Sequence, residues 1–302
     1  MGFALIFSGQ GMQHPAMLPW LTEDESLQTV ERALGRDWRE RLEDPAWAGR
    51  NAHAQLLLTA LGVAAWSQLA PGLPEPAVIA GYSVGELAAF SAAGVFSPRD
   101  AIVLAQHRAA LMDHDADKCA TGLMAISGLA QKALERLCAE FGLALAIRND
   151  PASVVVGGVK AALMPAAESA QGLGGHVTLL NVNVASHTPW MAGAAKAFDE
   201  LLATGPFAFA SPRTTLLSDF TGRIRDGAHA KLALAAQIDH TVRWDECMEG
   251  IAARGVRCVL EIGPGQALAR MWNQQHPDIP ARSADEFRTA RGVIDWVERH
   301  AA

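Results

Sequence analysis

Apolar residues along this chain follow two alternating patterns: continuous runs of four or five, and longer stretches where they recur every three or four positions. The runs read as strands buried on both faces, the recurrent stretches as helices with one buried face. Phe3 to Phe7 is the first run. Helical spacing follows from Asp24 to Gly35 and from Asn51 to Ala70, with Asn51 positioned as the N-cap of the second helix. Pro71 to Pro76 ends that helix, and a buried run from Ala77 precedes a new helical period at Leu87, Ala88 and Phe90. Ser97, Pro98 and Asp100 supply an N-cap, a first-turn proline and a third-position acid, and predict a helix reaching about Met112. Further on come a helix to about Leu202, a strand at Leu216 and Leu217, and a helix opened by His240 to Trp244. The strand Val259 to Ile262 and a helix from Ala267 precede a polar tail, which ends in an amphipathic helix from Gly292 to Arg299.

One segment has an order of its own. Gly122 to Ser127 reads as a strand, Gln131 to Phe141 as a helix, and Leu143 to Arg148 and Ser153 to Gly157 as two strands. A helix near Ala161 to Ala170 and a strand from His176 to Val184 complete a β-α-β-β-α-β sequence, the split βαβ of a ferredoxin-like unit. The expected architecture is therefore α/β. A large α/β-hydrolase-like domain with a parallel sheet core, residues 1–120 and 188–302, carries an inserted ferredoxin-like subdomain at 121–187.

Composition adds limits. At 302 residues the chain can bury a full core without disulfides or metals. Its net charge of -7 argues against nucleic acid as a partner. The cysteines at 119, 138, 247 and 258 form no Cys-x-x-Cys pair and have no zinc-type histidine spacing, so they read as reduced thiols and no metal is expected. The N-terminal apolar run is too short for a signal peptide, and no run approaches the roughly 20 residues of a membrane span. The expectation is a cytoplasmic protein.

Four places carry candidate chemistry. In Gly81-Tyr-Ser-Val-Gly-Glu86, Ser83 sits where a strand breaks into a helix. Glycines two positions either side permit a cramped turn that would push the hydroxyl out of the sheet edge, toward the free N–H groups of the helix start. The same residues also suit an ordinary glycine-rich turn, with Ser83 as N-cap and Glu86 in the first helical turn. Ser8-Gly-Gln-Gly-Met12 is a second glycine-rich turn, with Gln10 its one large polar side chain. Arg108 falls in the middle of the apolar face of the helix after Ser97, where a guanidinium needs an anion, either an internal carboxylate or a ligand, unless its side chain snorkels out to solvent. His187 stands where the inserted segment returns to the larger domain, a natural place for a cleft and equally for a helix cap.

Phe7-Ser-Gly-Gln-Gly11, Gly81-Tyr-Ser-Val-Gly-Glu86, Arg108, Ser186-His187, Val242-Arg-Trp244 and Glu261-Ile-Gly-Pro-Gly265 occur in that order. The ordered set resembles the malonyl-CoA:acyl carrier protein transacylases and related synthase acyltransferase domains, over nearly the whole chain. The resemblance implies Ser83 as nucleophile and His187 as its general base, with the backbone carbonyl of Arg243 orienting the imidazole. It implies an oxyanion hole from the N–H groups of Gln10 and Val84, and Arg108 as the residue binding the malonyl carboxylate. No cofactor of the chain's own is implied; the partners are malonyl-CoA and an acyl carrier protein.

Two positions depart from the family pattern: Ser8 where proline is usual, and Tyr82, the chain's one tyrosine, where histidine usually precedes the nucleophile. The Gly-Tyr-Ser-Val-Gly-Glu form looks like the epsilon, or malonyltransferase, subunit of malonate decarboxylase. In that branch the acceptor is a carrier subunit bearing a phosphoribosyl-dephospho-CoA group. The alternatives are the malonyl-CoA transacylase of fatty-acid synthesis, a serine esterase or thioesterase sharing the nucleophile turn, and a non-enzymatic subunit that docks a carrier protein.

Overall fold

The structure is a computed structural model that describes residues 2–302; Met1 lies outside the described residues. Its eleven strands in chain order are β1 (Phe3–Phe7), β2 (Val78–Gly81), β3 (Thr121–Ser127), β4 (Ala144–Asp150), β5 (Ser153–Val159), β6 (His176–Leu179), β7 (Leu216–Ser218), β8 (Gly222–Arg223), β9 (Val242–Arg243), β10 (Cys258–Ile262) and β11 (Ala281–Ser283). They form a six-stranded sheet in the order β11-β10-β1-β2-β7-β8 and a five-stranded sheet in the order β6-β3-β5-β4-β9. In the larger sheet the first five strands run parallel and only β8 turns back. The protein is thus a mixed α/β fold built on a parallel sheet.

The period-two rule of strands divides β1 between two cores. Phe3, Leu5 and Phe7 point to one face, under the helices Asn51–Leu69, Gly85–Ala92 and Pro98–Ala116. Ala4 and Ile6 point to the other, toward Trp244, Trp272 and residues of the smaller sheet such as Leu123 and Ile147. Both faces of the parallel sheet are covered, which is why its strands read as unbroken apolar runs.

In the smaller sheet β3 pairs antiparallel with β5 and β6, β4 with β5, and the helices Gln131–Phe141 and Lys160–Gly172 enclose a separate core with Met124, Leu137, Val156 and Leu163. The two-residue β9, from the later part of the chain, adds a parallel edge to β4. The segment 121–179 is therefore tied by strand pairing to a later part of the chain, and it packs against the large sheet. No helix among the described residues is long and apolar enough to cross a membrane.

Several elements differ from the sequence expectation. Asn51 is the first helical residue rather than the cap, because its side chain is buried and spent on other partners; Arg50 precedes the helix without a side-chain cap bond. The Ser97 cap is present, and the helix it opens runs on to Ala116. The strand expected from His176 to Val184 stops at Leu179. The polar tail contributes β11 to the parallel sheet, and the helix Gly227–Ala236 has no counterpart in the sequence reading.

Candidate active site

The carboxyl ends of parallel strands are where open α/β sheets bind ligands. Gln10 follows β1, Ser83 follows β2 and Asp219 follows β7, so three neighbouring strands deliver their loops to one edge. Tyr82 N–H bonds the Phe7 carbonyl at 2.9 Å, which fixes the second loop against the first.

The turn at Ser83 is tight for a reason visible in its glycines. A Cβ on Gly81 would lie 2.3 Å from the Glu86 nitrogen, and one on Gly85 would lie 2.4 Å from the Phe7 carbonyl oxygen. Ser83 takes φ +54°, a left-handed conformation that costs a non-glycine residue about 1–3 kcal/mol and persists only where the surroundings enforce it. Its hydroxyl does not cap the following helix, whose N-cap, Val84, makes no side-chain bond. Instead Ser83 Oγ lies 2.7 Å from His187 Nε2.

His187 also has positive φ, +62°, and is 1% exposed. Its Nδ1 is 2.6 Å from the Gln237 carbonyl oxygen, so a proton on Nδ1 leaves Nε2 free to accept from Ser83. This corrects the expectation for Arg243. The carbonyl facing the imidazole belongs to Gln237, at the end of the helix that the sequence reading missed, while the Arg243 N–H is donated to the Asp219 carbonyl at 2.6 Å. Burial, and secondarily the nearby Arg108, hold the His187 pKa down at about 3 against the opposing bond to Gln237. The imidazole is therefore neutral at pH 7.

Arg108 is 2% exposed, and no carboxylate lies within ion-pair distance of it among the described residues. Its guanidinium donates to Gln55 Oε1 at 2.8 Å and Gln237 Oε1 at 2.9 Å. Burial lowers its pKa to about 10, against the partial support of Asp219 and Glu86. Two of its five N–H donors are used, and the charge is held by neutral amides.

Gln237 is the common partner. Its Nε2 donates to the Ser83 carbonyl at 3.1 Å and to Asp219 Oδ1 at 3.0 Å, while its two oxygens accept from Arg108 and His187. Gln10 joins through a second amide chain: Gln10 Nε2 donates to Asn51 Oδ1 at 3.2 Å, and Gln55 Nε2 to the same oxygen at 2.7 Å. The structure thus brings Gln10, Ser83, Val84, Arg108 and His187 to one place and leaves Arg243 beside it. Sequence reading missed Gln55, Asp219 and Gln237. Gln55 could have been found as a polar residue inside an otherwise apolar helix, but nothing marked the other two.

Both departures from the usual family motifs acquire partners. Ser8 Oγ donates to the buried Glu261 at 2.7 Å, and Tyr82 OH donates to Asn149 Oδ1 of the smaller sheet at 3.0 Å. A cavity of about 390 Å³ starts at Gln10 and Gly11 and continues between Leu42, Ala48, Leu179 and Asn181; Ser83 is not part of its wall.

Among known protein families, the profile described as "Acyl transferase domain" matches residues 4–291. The chain belongs to the acyl transferase domain family. It is 31% identical over 311 residues to the malonyl CoA-acyl carrier protein transacylase of Haemophilus influenzae, covering 98% of this chain and 99% of that relative. The acyl-carrier-protein S-malonyltransferase of Burkholderia pseudomallei 1710b superposes with a TM-score of 0.87 at 28% identity, over 98% of this chain and 100% of that one. A malonyl-transacylase solved in complex with a type II polyketide acyl-carrier protein superposes with the same score and identity, over 99% and 100%. The protein is an acyltransferase.

Proposed function

We propose that this acyltransferase moves a malonyl group from malonyl-CoA, through malonyl-Ser83, to the prosthetic-group thiol of a carrier protein. The observation that carries the reading is the convergence on Gln237 of a Ser83–His187 pair and a buried arginine that has no internal carboxylate. A serine and a neutral imidazole suffice for any acyl group; the arginine selects one that ends in a carboxylate.

In the first half-reaction Ser83 Oγ attacks the thioester carbonyl and its proton passes to His187 Nε2. The oxyanion is held by the N–H groups of Gln10 and Val84, neither of which is donated to an acceptor among the described residues. The intermediate collapses, the C–S bond breaks and the CoA sulfur takes the proton from His187. In the second half the carrier thiol gives its proton to His187, its sulfur attacks the ester, the C–O bond breaks and Ser83 recovers its proton. Arg108 stays paired with the malonyl carboxylate throughout. The cavity from Gln10 toward Asn181 offers the thiol-bearing arm a path, and the chemistry asks for no cofactor of the chain's own.

We read 121–187 as an inserted ferredoxin-like lobe on a hydrolase-like domain, a reading supported by the strand order β6-β3-β5-β4 and its two crossing helices. For the acceptor, the Gly81-Tyr-Ser-Val-Gly-Glu86 motif supports the malonate decarboxylase carrier subunit, whereas the names of the relatives favour an ordinary acyl carrier protein. Intact-mass measurement after exposure to malonyl-CoA or acetyl-CoA tests the core reading: malonyl loading on Ser83 with little acetyl is expected, and equal loading refutes the role given to Arg108. Offering malonyl-Ser83 a phosphopantetheine carrier and a phosphoribosyl-dephospho-CoA carrier in competition decides the branch.

A further inference from the structure

The acid nearest the Ser83–His187 pair is in an unexpected place. In a Ser-His-Asp arrangement the carboxylate meets the histidine, but here His187 Nδ1 faces a backbone carbonyl and Asp219 lies on the serine's side. Asp219 is 1% exposed. Its Oδ2 accepts the Ser83 N–H at 2.8 Å and its Oδ1 accepts Gln237 Nε2 at 3.0 Å. Its own backbone is pinned at both ends: the N–H is donated to Glu86 Oε1 at 2.8 Å, and the carbonyl accepts from the Arg243 N–H. A rigidly held carboxylate therefore grips the main chain of the strained serine and also the side chain of Gln237, which accepts from Arg108 while its main-chain carbonyl faces His187.

We propose that ionised Asp219 is a positioning residue for acyl transfer, holding Ser83 in its left-handed turn and Gln237 in the one amide orientation that serves Arg108 and the Ser83 carbonyl together. This rests on the reading of Ser83 as nucleophile and extends it to a residue that touches neither substrate nor the transferred proton. The amide orientation follows from donor and acceptor counting. With a carboxylate at 219, Gln237 Nε2 has an acceptor and Oε1 faces Arg108. With a neutral amide there, one of the contacts to Ser83 and Gln237 is forced to present a donor to a donor; a neutral acid keeps two accepting oxygens but loses the charge that strengthens both bonds, and the restraint on the strain at Ser83 weakens.

Asp219 faces Glu86 from the helix Gly85–Ala92, Arg108 from the helix Pro98–Ala116, Tyr82 at the end of β2, Cys247 from the helix Trp244–Ala252, and Arg243 just before that helix. Burial is the largest influence and raises the Asp219 pKa to about 6, against the opposing Ser83 N–H, Gln237, Glu86 and Arg108. Glu86, fully buried and beside Asp219, is pushed well above the usual carboxylate range, by burial first and then by the Asp219 charge. One anion then balances one buried cation. His187 titrates at about 3, so an acid limb near pH 6 in Ser83 acylation belongs to the Asp219–Glu86 pair and not to the general base, and variants at the two positions assign it within the pair.

The test is the single-turnover rate of malonyl-Ser83 formation from malonyl-CoA between pH 5 and 9, read by rapid quench and intact mass. The native protein, Asp219→Asn and Glu86→Gln are compared, each checked by thermal melting. The substrate's own titrations appear in every profile, so differences between variants report the protein. The native rate is expected to fall below about pH 6; Asp219→Asn loses that limb and is slowed 10- to 100-fold at pH 8, with half-saturation changed less than threefold. Glu86→Gln, which keeps the acceptor for the Asp219 N–H, retains the limb. A native-like rate and limb in Asp219→Asn overturns the proposal. So does disappearance of the limb in Glu86→Gln, which stands as the deciding variant if Asp219→Asn does not fold. Absence of any malonyl adduct on the native protein would refute the nucleophile instead, and the two failures are thereby distinguished.

Discussion

Replacing Arg108 by leucine tests how the site distinguishes a diacid from a simple acyl group. The guanidinium has three N–H donors beyond those used by Gln55 and Gln237, enough for a two-point grip on a carboxylate. Hydrogen bonds to charged groups contribute about 1.5–3 kcal/mol each, so a bidentate pair contributes about 3–6 kcal/mol. The lower end applies, because the malonyl carboxylate must shed its water to reach a buried cation. At about 1.4 kcal/mol per decade, 3 kcal/mol is roughly a 100-fold loss in malonyl loading. Acetyl-CoA has no carboxylate and loses no such contact. Arg108→Leu also strips the donors from two buried glutamine carbonyls, at about 1–3 kcal/mol each, so the variant melts earlier. That cost lowers both substrates' rates together and cancels in their ratio. The assay is the initial rate of adduct formation with each thioester, and the expected result is a malonyl-to-acetyl ratio reduced about 100-fold. A folded Arg108→Leu protein that keeps the native ratio would show that Arg108 is a structural cation only.

Three further outcomes follow from the same geometry. His187→Gln should slow Ser83 acylation by about 10²–10⁴-fold, the usual contribution of a general base, with little change in half-saturation; a smaller loss would assign proton transfer elsewhere. It should also flatten acid sensitivity of folding: the native histidine's pKa is depressed, so the stability it contributes is fully present above the unfolded value of about 6.5 and is lost as pH falls toward 3, and melting curves at pH 7 and 4 read the difference. Tyr82→Phe removes the bond to Asn149 and should cost about 1 kcal/mol, seen as roughly 2 °C in melting temperature, since the ring keeps its edge contact with Trp244.

How far the site could be read from sequence depended on whether a residue's neighbours broke a local rule. Ser83 stood out because two glycines bracket it, and the distances at Gly81 and Gly85 show that no side chain fits there. Arg108 stood out as a charge on an apolar face, and the structure finds it buried. Gln237 broke no rule. It lies just past a short alanine-rich helix whose end is polar in any case, and its value comes from four contacts to residues 18 to 154 positions away. Asp219 was hidden for the same reason, in a loop where an acid is ordinary. Strand β11, three residues in a polar tail, was illegible because its partner β10 supplies the apolar context.

The electrostatic design follows from keeping water out of a site that has to handle a charged substrate. A buried guanidinium paired with its own carboxylate would be stable and useless for binding another one. Here the nearest anion, Asp219, is separated from Arg108 by the Gln237 amide, which donates to the acid with one end and accepts from the arginine with the other. The amide relays enough attraction to keep the cation charged at neutral pH, while Gln55 and Gln237 leave donors on Arg108 for a carboxylate from outside. Replacing Gln237 with glutamate tests this division directly. A carboxylate at 237 would satisfy Arg108 internally, so malonyl loading should fall by at least as much as in Arg108→Leu even though the arginine remains. Native malonyl preference in Gln237→Glu, measured by the same paired thioester assay, would show that the uncommitted charge is not what selects the substrate.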